Sequence, residues 1–259
     1  MLLAIDIGNT NVVAGVFAGK KLLATWRLAT SMERMADEWG TVLISMLNHK
    51  GIKPEQLNQS VIGTTVPPMA GTFETMCKDY FHSKPVIVGA GVKTGVKLLV
   101  ENPREVGSDR VADAAAAFQL YGGPVIIVDF GTATTVNAVS KTGDFLGGAI
   151  APGIWIASEA LFQRTSMLQR VDLVRPKSVI GRNTAHAMQS GMIFGYVGMV
   201  EGLVTRFQKE LPEKAKVIGT GGLASLIAKE TILINTINPD LTLIGLRIIH
   251  DLNESSTDA

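Results

Sequence analysis

Residues 4–11 read AIDIGNTN, a short apolar run that contains one acid and ends in glycine, asparagine and threonine. The apolar run predicts a buried strand, and the small polar residues predict a turn after it. Glycine would let the backbone approach phosphate oxygens, and the asparagine and threonine side chains would add hydrogen bonds. The carboxylate of Asp6 should repel phosphate unless a cation such as Mg²⁺ lies between them. A hairpin whose polar residues only satisfy turn geometry is the alternative.

The same pattern returns in the second half of the chain. LLAIDIGNTNVVAGVFAGKKLLATW, from Leu2, aligns without a gap with VIIVDFGTATTVNAVSKTGDFLGGA, from Val125. The paired turn positions are Asp6 with Asp129, Gly8 with Gly131, and Asn11 with Thr134. Each copy reads as strand, polar turn, second strand and glycine-bearing turn, so we interpret the chain as two related halves, residues 1–119 and 120–259. The repetition favours phosphate binding for both loops over a plain hairpin.

Strand and helix patterns alternate along both halves. The predicted helices cover 36–48, 69–81, a segment from 111, a segment after 158, 183–210 and a segment after 222. The predicted strands between the repeats cover 61–63, 85–88 and 216–218, and the tail 254–259 is expected to be disordered. This alternation predicts an α/β fold. Because no low-complexity linker separates the halves, we expect them to share a cleft.

Composition excludes several classes of function. The 259 residues carry a net charge of +1, which disfavours general binding to nucleic acid or to a membrane surface. Glycine or a charge interrupts every apolar stretch well before the length of a membrane span. The single cysteine, Cys77, rules out an internal disulfide and fits a cytoplasmic protein without a cysteine-bound zinc.

A third motif, NPREVGSDR at 102–110, precedes an alanine-rich helical segment. Gly107 and Ser108 are predicted to form the entry turn and the N-cap, with Asp109 and Arg110 in the first turn. Asp109 could simply favour the helix dipole, or it could accept a proton from a substrate hydroxyl while Arg110 holds charge on the transferred group. The spacing alone leaves both interpretations open.

Two glycine-rich segments and one helix start complete the candidates. GGAIAPG at 147–153 and GTGG at 219–222 could lie close to a ligand or could be tight turns between a strand and a helix. In VIGRNTAHAMQSG, residues 179–191, Asn183 and Thr184 begin a predicted helix. Thr184 could contact substrate or only cap that helix.

Taken in this order, the motifs resemble those of the type III pantothenate kinases, of the acetate/sugar kinase–Hsp70–actin superfamily. The resemblance covers nearly the full length and includes VPP at 66–68, GYVG after the 179–191 segment, and TGGLA. It implies a duplicated ribonuclease-H-like (actin-like ATPase) fold with two related halves around a nucleotide cleft. It further implies a homodimer that phosphorylates pantothenate with Mg-ATP and requires a monovalent cation, K⁺ or NH₄⁺.

The resemblance also implies roles for individual residues. Asp109 would be the general base, Asp129 would bind the monovalent cation, and Asp6 would hold Mg²⁺ through phosphate or water. The ATP-binding residues would be Asp6, Ile7, Gly8, Asn9, Thr10, Asn11, Val12, Val13 and Thr132. The pantothenate-binding residues would be Gly107, Ser108, Asp109, Arg110 and Thr184.

Three positions depart from the family pattern. Val100 stands where a tyrosine is frequent, Met35 where threonine is common, and Asn137 where aspartate is usual. A regulatory paralogue that binds nucleotide without turnover is therefore the alternative to the kinase. A phosphatase or hydrolase of the same superfamily is a second alternative.

Overall fold

The alternating patterns of the sequence form strands and helices throughout residues 1–254, the part of the chain that this computed structural model describes. The strands are β1 Leu2–Ile7, β2 Asn11–Ala18, β3 Lys21–Ala29, β4 Gln59–Thr64, β5 Val86–Ile87, β6 Lys97–Leu98, β7 Val125–Phe130, β8 Ala133–Val139, β9 Asp144–Pro152, β10 Lys216–Thr220 and β11 Thr236–Ile237. The α-helices are α1 Ala36–His49, α2 Ala70–Phe81, α3 Ser108–Tyr121, α4 Ile154–Arg164, α5 Thr184–Glu210, α6 Ala224–Ile227 and α7 Leu241–Glu254. Short 3-10 helices occupy Pro54–Gln56, Pro67–Met69, Pro103–Glu105 and Ala228–Glu230.

Contacts divide the chain into two units. Unit 1 comprises Met1–Lys97, Glu101–Ala116 and the segment from Leu241, and unit 2 comprises Leu98–Val100 and Ala117–Asp240. Helix α3 begins in the first unit and ends in the second. This division differs from the sequence-based halves, 1–119 and 120–259, because helix α7 groups with unit 1.

Unit 1 is built on a five-stranded sheet of order β3-β2-β1-β4-β5. Strands β1, β4 and β5 are parallel, whereas β2 and β3 form antiparallel hairpins. One face, including Leu3, Ile5 and Ile62, joins the core formed with α1 and α2. The opposite face receives α7, whose Leu243 and Leu246 approach sheet glycines. This arrangement buries the central parallel strands β1 and β4 on both faces.

Unit 2 repeats this plan. Its sheet has the order β11-β10-β7-β8-β9-β6. Read in the opposite direction and without β6, the order β9-β8-β7-β10-β11 corresponds strand by strand to β3-β2-β1-β4-β5 of unit 1. The core includes Ile126, Val128 and Val136 of the sheet and Ile193 and Val200 of α5. The predicted α/β class and the internal duplication are therefore confirmed.

Several boundaries differ from the prediction. The ungapped alignment of the repeats is wrong by one residue after the turn, because Asp6 pairs with Val13 but Asp129 pairs with Thr135. The second turn is thus one residue shorter than the first. Helix α4 begins at Ile154 rather than after Ser158.

The predicted strand at 85–88 is reduced to Val86–Ile87, two half-buried residues. Helix α7 was not predicted, and Glu254, which we assigned to the tail, is its last residue. The rest of the predicted disordered tail, 255–259, lies outside the described residues. Across 1–254, no helix combines the length and the apolar character needed to cross a membrane.

Candidate active site

In unit 1 the first polar loop is a tight turn between β1 and β2. Strand β1 ends at Ile7, and the Gly8 N–H donates to the Asn11 carbonyl at 3.0 Å to close the turn. A Cβ built on Gly8 would lie 3.1 Å from that carbonyl, so a larger residue would press on the turn. Asn9 and Thr10 at its tip are exposed. The predicted position of the loop at a strand end is confirmed.

The side chains of the predicted ATP loop are not equally available. Asp6 is half-buried at the last position but one of β1. Ile7 and Val12 belong to the hydrophobic core, so neither side chain faces a ligand and each can contribute only through its backbone. Val13 and Asn11 are half-buried.

The end of strand β4 connects this loop to the third motif. In the parallel register, Asp6 pairs with Gly63, and the Thr65 N–H donates to the Ile7 carbonyl at 3.0 Å. A Cβ built on Gly63 would lie 3.3 Å from Ser108 Oγ, and one built on Gly107 would lie 3.4 Å from Thr65 Cγ2. The carboxyl ends of β1 and β4 therefore bring the Asp6 loop and the Gly107–Arg110 segment to one edge of the unit 1 sheet, the edge where α/β folds bind ligands.

Helix α3 positions the candidate base at its N-terminus. The Gly107 carbonyl accepts from the Val111 N–H at 3.1 Å, so Gly107 occupies the N-cap position that we predicted for Ser108. Asp109 and Arg110 lie in the first turn, as predicted. Asp109 Oδ1 accepts from the Arg110 N–H at 2.8 Å, which fixes the carboxylate at the positive end of the helix.

The two neighbours of Asp109 are largely enclosed. Ser108 is 7% exposed, and its Oγ has no hydrogen-bond partner among the described residues. Arg110 is half-buried, and the pKa of its guanidinium is lowered overall. Burial lowers this pKa more than the negative charge of Asp109 raises it. The start of α3 therefore places a hydroxyl, a carboxylate and a guanidinium on three consecutive residues, two of them half-buried and one buried.

In unit 2 the second polar loop occupies the equivalent place. The Gly131 N–H donates to the Ala133 carbonyl at 3.1 Å and closes a turn of two residues, Gly131 and Thr132. Asp129 is half-buried and pairs with Thr220 of the parallel strand β10. Asp6 and Asp129 therefore each occupy the last position but one of a strand, β1 in unit 1 and β7 in unit 2.

Two glycines approach this second turn. A Cβ on Gly221 would overlap the Asp129 carboxylate, and a Cβ on Gly153 would overlap the carbonyls of Gly131 and Thr132. The GTGG and GGAIAPG segments thus lie against the DFGTATT loop within one unit, which their sequences alone left open. The same GGAIAPG segment contacts Val100, whose Cγ1 would lie 3.7 Å from a Cβ on Gly147.

The remaining threonines and Asn137 differ in burial. Thr134 is 2% exposed, and its Oγ1 has no hydrogen-bond partner within residues 1–254. Buried Asn137 donates from Nδ2 to Thr135 Oγ1 at 3.1 Å. Thr184 is exposed at the first position of α5, but Asn183 is the N-cap, because its side chain accepts from the His186 N–H at 2.8 Å. The capping alternative for Thr184 is therefore wrong.

Sequence comparisons agree on one family. A family model described as type III pantothenate kinase matches residues 2–206. A type III pantothenate kinase of Dehalococcoides mccartyi is 52% identical over 254 residues, covering 98% of this chain and 98% of that protein. One of Myxococcus xanthus is 51% identical over 256 residues, covering 99% of this chain and 100% of that protein. One of Moorella thermoacetica is 48% identical and covers 98% and 100%, respectively.

Solved structures share the fold at low identity. A Baf-family protein of Campylobacter jejuni superposes with a TM-score of 0.63 at 18% identity, covering 98% of this chain and 99% of the other. The activator of 2-hydroxyisocaproyl-CoA dehydratase from Clostridium difficile gives a TM-score of 0.54 at 14% identity, covering 100% and 97%. A ROK hexokinase of Thermus thermophilus gives 0.50 at 15%, covering 98% and 99%. With the two repeated sheets, these likenesses confirm the duplicated ribonuclease-H-like fold.

Proposed function

Since the chain belongs to the type III pantothenate kinases, we propose that Asp109 is its general base. Enzymes of this family phosphorylate pantothenate with ATP, which is the first step of coenzyme A biosynthesis, and this chain is such an enzyme. The observation that carries the proposal is the arrangement at the ends of β1 and β4. There, the Gly107–Arg110 segment and the Asp6 loop lie at one edge of a single sheet. A substrate hydroxyl and a phosphate chain could both be bound at that edge.

In the proposed step, the primary hydroxyl of pantothenate attacks the γ-phosphorus of ATP. The new oxygen–phosphorus bond forms as the bond to the β,γ-bridging oxygen breaks, and the product is 4′-phosphopantothenate with ADP. Asp109 accepts the hydroxyl proton, and because Oδ1 is engaged by the Arg110 N–H, Oδ2 is the oxygen assigned to this proton. The Arg110 guanidinium and the Ser108 hydroxyl would hold the substrate, since phosphoryl transfer depends mainly on positioning and charge neutralisation.

The residues around the first loop fit a nucleotide-bound Mg²⁺. No group of three or more His, Cys, Asp or Glu side chains suited to a metal is present in residues 1–254. Mg²⁺ needs no such cage, since one or two carboxylates with waters and substrate phosphates suffice. We assign Asp6 to this role, directly or through water, with the loop from Gly8 to Val13 on the phosphates. When bound, Mg²⁺ neutralises charge on the phosphates.

The second loop fits a monovalent cation and part of the nucleotide. Its carboxylate, hydroxyls and turn carbonyls are the hard oxygen ligands that such ions prefer. Gly221 leaves the space beside the Asp129 carboxylate that a side chain would fill. We assign Asp129 to K⁺ or NH₄⁺, Thr132 to ATP, and the exposed Thr184 to pantothenate.

An exposed apolar face in unit 2 supports a homodimer. On β9, Leu146 is 40% exposed and Ile150 is 64% exposed. Trp155 and Ile156 at the start of α4 are 58% and 46% exposed. Large exposed apolar side chains this close in the sequence typically mark a protein contact. We assign the surface that carries Leu146, Ile150, Trp155 and Ile156, the β9–α4 face, to a second copy of the chain.

A coupled ADP-release assay tests both assignments: Asp109→Asn against the wild type tests the base, and Na⁺ against K⁺ or NH₄⁺ tests the monovalent-cation site. We expect ADP release that requires pantothenate and increases strongly with K⁺ or NH₄⁺. ATP loss without pantothenate would indicate a hydrolase. ATP binding without pantothenate phosphorylation would indicate the regulatory paralogue. Equal turnover in Na⁺ and K⁺ would contradict the assignment of Asp129 to a K⁺ or NH₄⁺ site.

A further inference from the structure

One residue outside the recognised motifs holds the first polar loop. Strand β3 runs antiparallel to β2, and their last pair is Asn11 with Ala29. Thr30 follows directly and reaches the turn with two groups. Its Oγ1 donates to the Gly8 carbonyl at 2.7 Å, and its N–H donates to the Thr10 carbonyl at 3.0 Å. One residue therefore binds carbonyls at both ends of the three-residue turn.

These two bonds fix the direction of the turn's peptide groups. A trans peptide is planar and directs its carbonyl and its N–H to opposite sides. The bond from Thr30 to the Gly8 carbonyl therefore turns the Asn9 N–H away from β3. A loop that binds phosphate through backbone N–H groups needs its carbonyls held on the other side, because a carbonyl oxygen would repel the anion.

The second unit holds its loop differently. By strand register, Ala133 pairs with Pro152, so Gly153 is the structural equivalent of Thr30. A Cβ at Gly153 would overlap the carbonyls of Gly131 and Thr132, so backbone packs directly on the shorter turn. The turn of unit 1 is one residue longer, and in that unit a side chain binds it. The Thr30 contact is therefore a specific feature of the first loop and not a general property of the repeat.

We propose that Thr30 is a positioning residue for ATP, which holds the Gly8–Thr10 turn in its phosphate-binding conformation without touching the nucleotide. The proposal rests on the proposed role of the Asp6–Val13 loop in ATP binding. It predicts a selective effect on ATP, since Thr30 is bonded to this loop and not to the Gly107–Arg110 segment.

The test compares Thr30→Val with Thr30→Ser, Thr30→Ala and the control Thr25→Val. Valine keeps the shape and the backbone N–H but removes the hydroxyl, whereas serine keeps the hydroxyl. Thr25 is an exposed residue of β3, the strand that Thr30 directly follows. For Thr30→Val we expect KM for ATP to rise roughly fivefold, the size of one lost hydrogen bond, with KM for pantothenate unchanged. Thr30→Ser should restore KM for ATP, and Thr25→Val should resemble the wild type.

Thermal unfolding and a loop variant separate the possible outcomes. A purely structural role would lower the unfolding temperature of Thr30→Val while leaving KM for ATP unchanged, and it would overturn the proposal. If Thr30→Val does not fold, the same ATP-selective change is required of Thr30→Ala. Asn9→Ala tests the loop itself. A raised KM for ATP in Asn9→Ala but not in the Thr30 variants overturns the Thr30 role alone, whereas no change in either overturns the loop assignment as well.

Discussion

Gly221 lies directly against the carboxylate of Asp129: a Cβ built at Gly221 would overlap Asp129 Oδ1 and the backbone of Phe130. Gly221 also has a φ of +87°, a conformation that residues with a side chain rarely adopt. The backbone of the GTGG segment thus packs directly beside Asp129, the acid that we assign to the monovalent cation.

Gly221→Ala should therefore displace Asp129 and reduce activation by K⁺ by roughly tenfold or more, because the new methyl group occupies space beside the carboxylate. The measurement is turnover as a function of K⁺ concentration. Gly122→Ala is the matched control, because Gly122 has a similar φ of +74°, but its added Cβ would have no atom within 4 Å other than those of its chain neighbours. Equal K⁺ dependence in the two variants would contradict this account of Asp129.

The loops show what the sequence could predict. The acid-glycine-polar pattern correctly placed Asp6 and Asp129 near the ends of equivalent strands. It could not show that the second turn is one residue shorter, because an ungapped match scores residue types and not strand register. Thr30 was missed for the same reason. Its bonds go to backbone carbonyls 22 and 20 residues away, across a strand pair whose register only the fold reveals.

Helix α7 illustrates the limit for secondary structure. Its sequence, LTLIGLRIIHDLNE, is rich in β-branched residues and contains a glycine, both unfavourable for an isolated helix. Gly245 is explained only by the tertiary fold, since a Cβ there would overlap the backbone of Ala112 in α3. That contact joins residues 133 positions apart, and no local pattern records it.

Asp109→Asn should lower kcat by roughly 10²-fold or more, because the amide cannot accept the hydroxyl proton. The fold should persist, since the asparagine oxygen can still accept from the Arg110 N–H. The measurement is steady-state ADP release together with thermal unfolding. Asp79→Asn, at an exposed position on α2, serves as the control and should retain full turnover. Asp109 loses its assignment as the base if the Asp109 variant turns over at a rate close to that of the control.

Cys77 should be unreactive in the folded protein. It is buried, and this burial raises the pKa of its thiol to about 12. Because the thiolate is the reactive form, a thiol reagent at pH 8 should modify the folded chain far more slowly than the chain in denaturant. Rapid modification of the folded chain would show that the site opens readily.

The same thiol predicts a dependence of stability on pH. The pKa of about 12 in the folded protein lies above the ordinary cysteine value of 9.0, so the unfolded chain loses the thiol proton first as pH rises. The stabilising contribution is therefore complete below pH 9.0 and is lost as the pH approaches about 12. The difference in free energy of unfolding between the wild type and Cys77→Ala should narrow by about 1 kcal/mol from pH 9 to pH 10. If urea unfolding gave the same difference in free energy of unfolding at pH 9 and at pH 10, it would contradict the raised pKa of the Cys77 thiol.

Ile150→Glu should convert the proposed homodimer to monomers, because it would place a charge on the β9–α4 face, where a partner would exclude water. Ile150 is 64% exposed, so the substitution should leave the stability of the single chain nearly unchanged. Ile232→Glu is the matched control, since Ile232 is 92% exposed and lies outside this face. Sedimentation velocity should then report monomers for the Ile150 variant and dimers for the wild type and the control. Dimers of the Ile150 variant with wild-type affinity would exclude this face as the subunit contact.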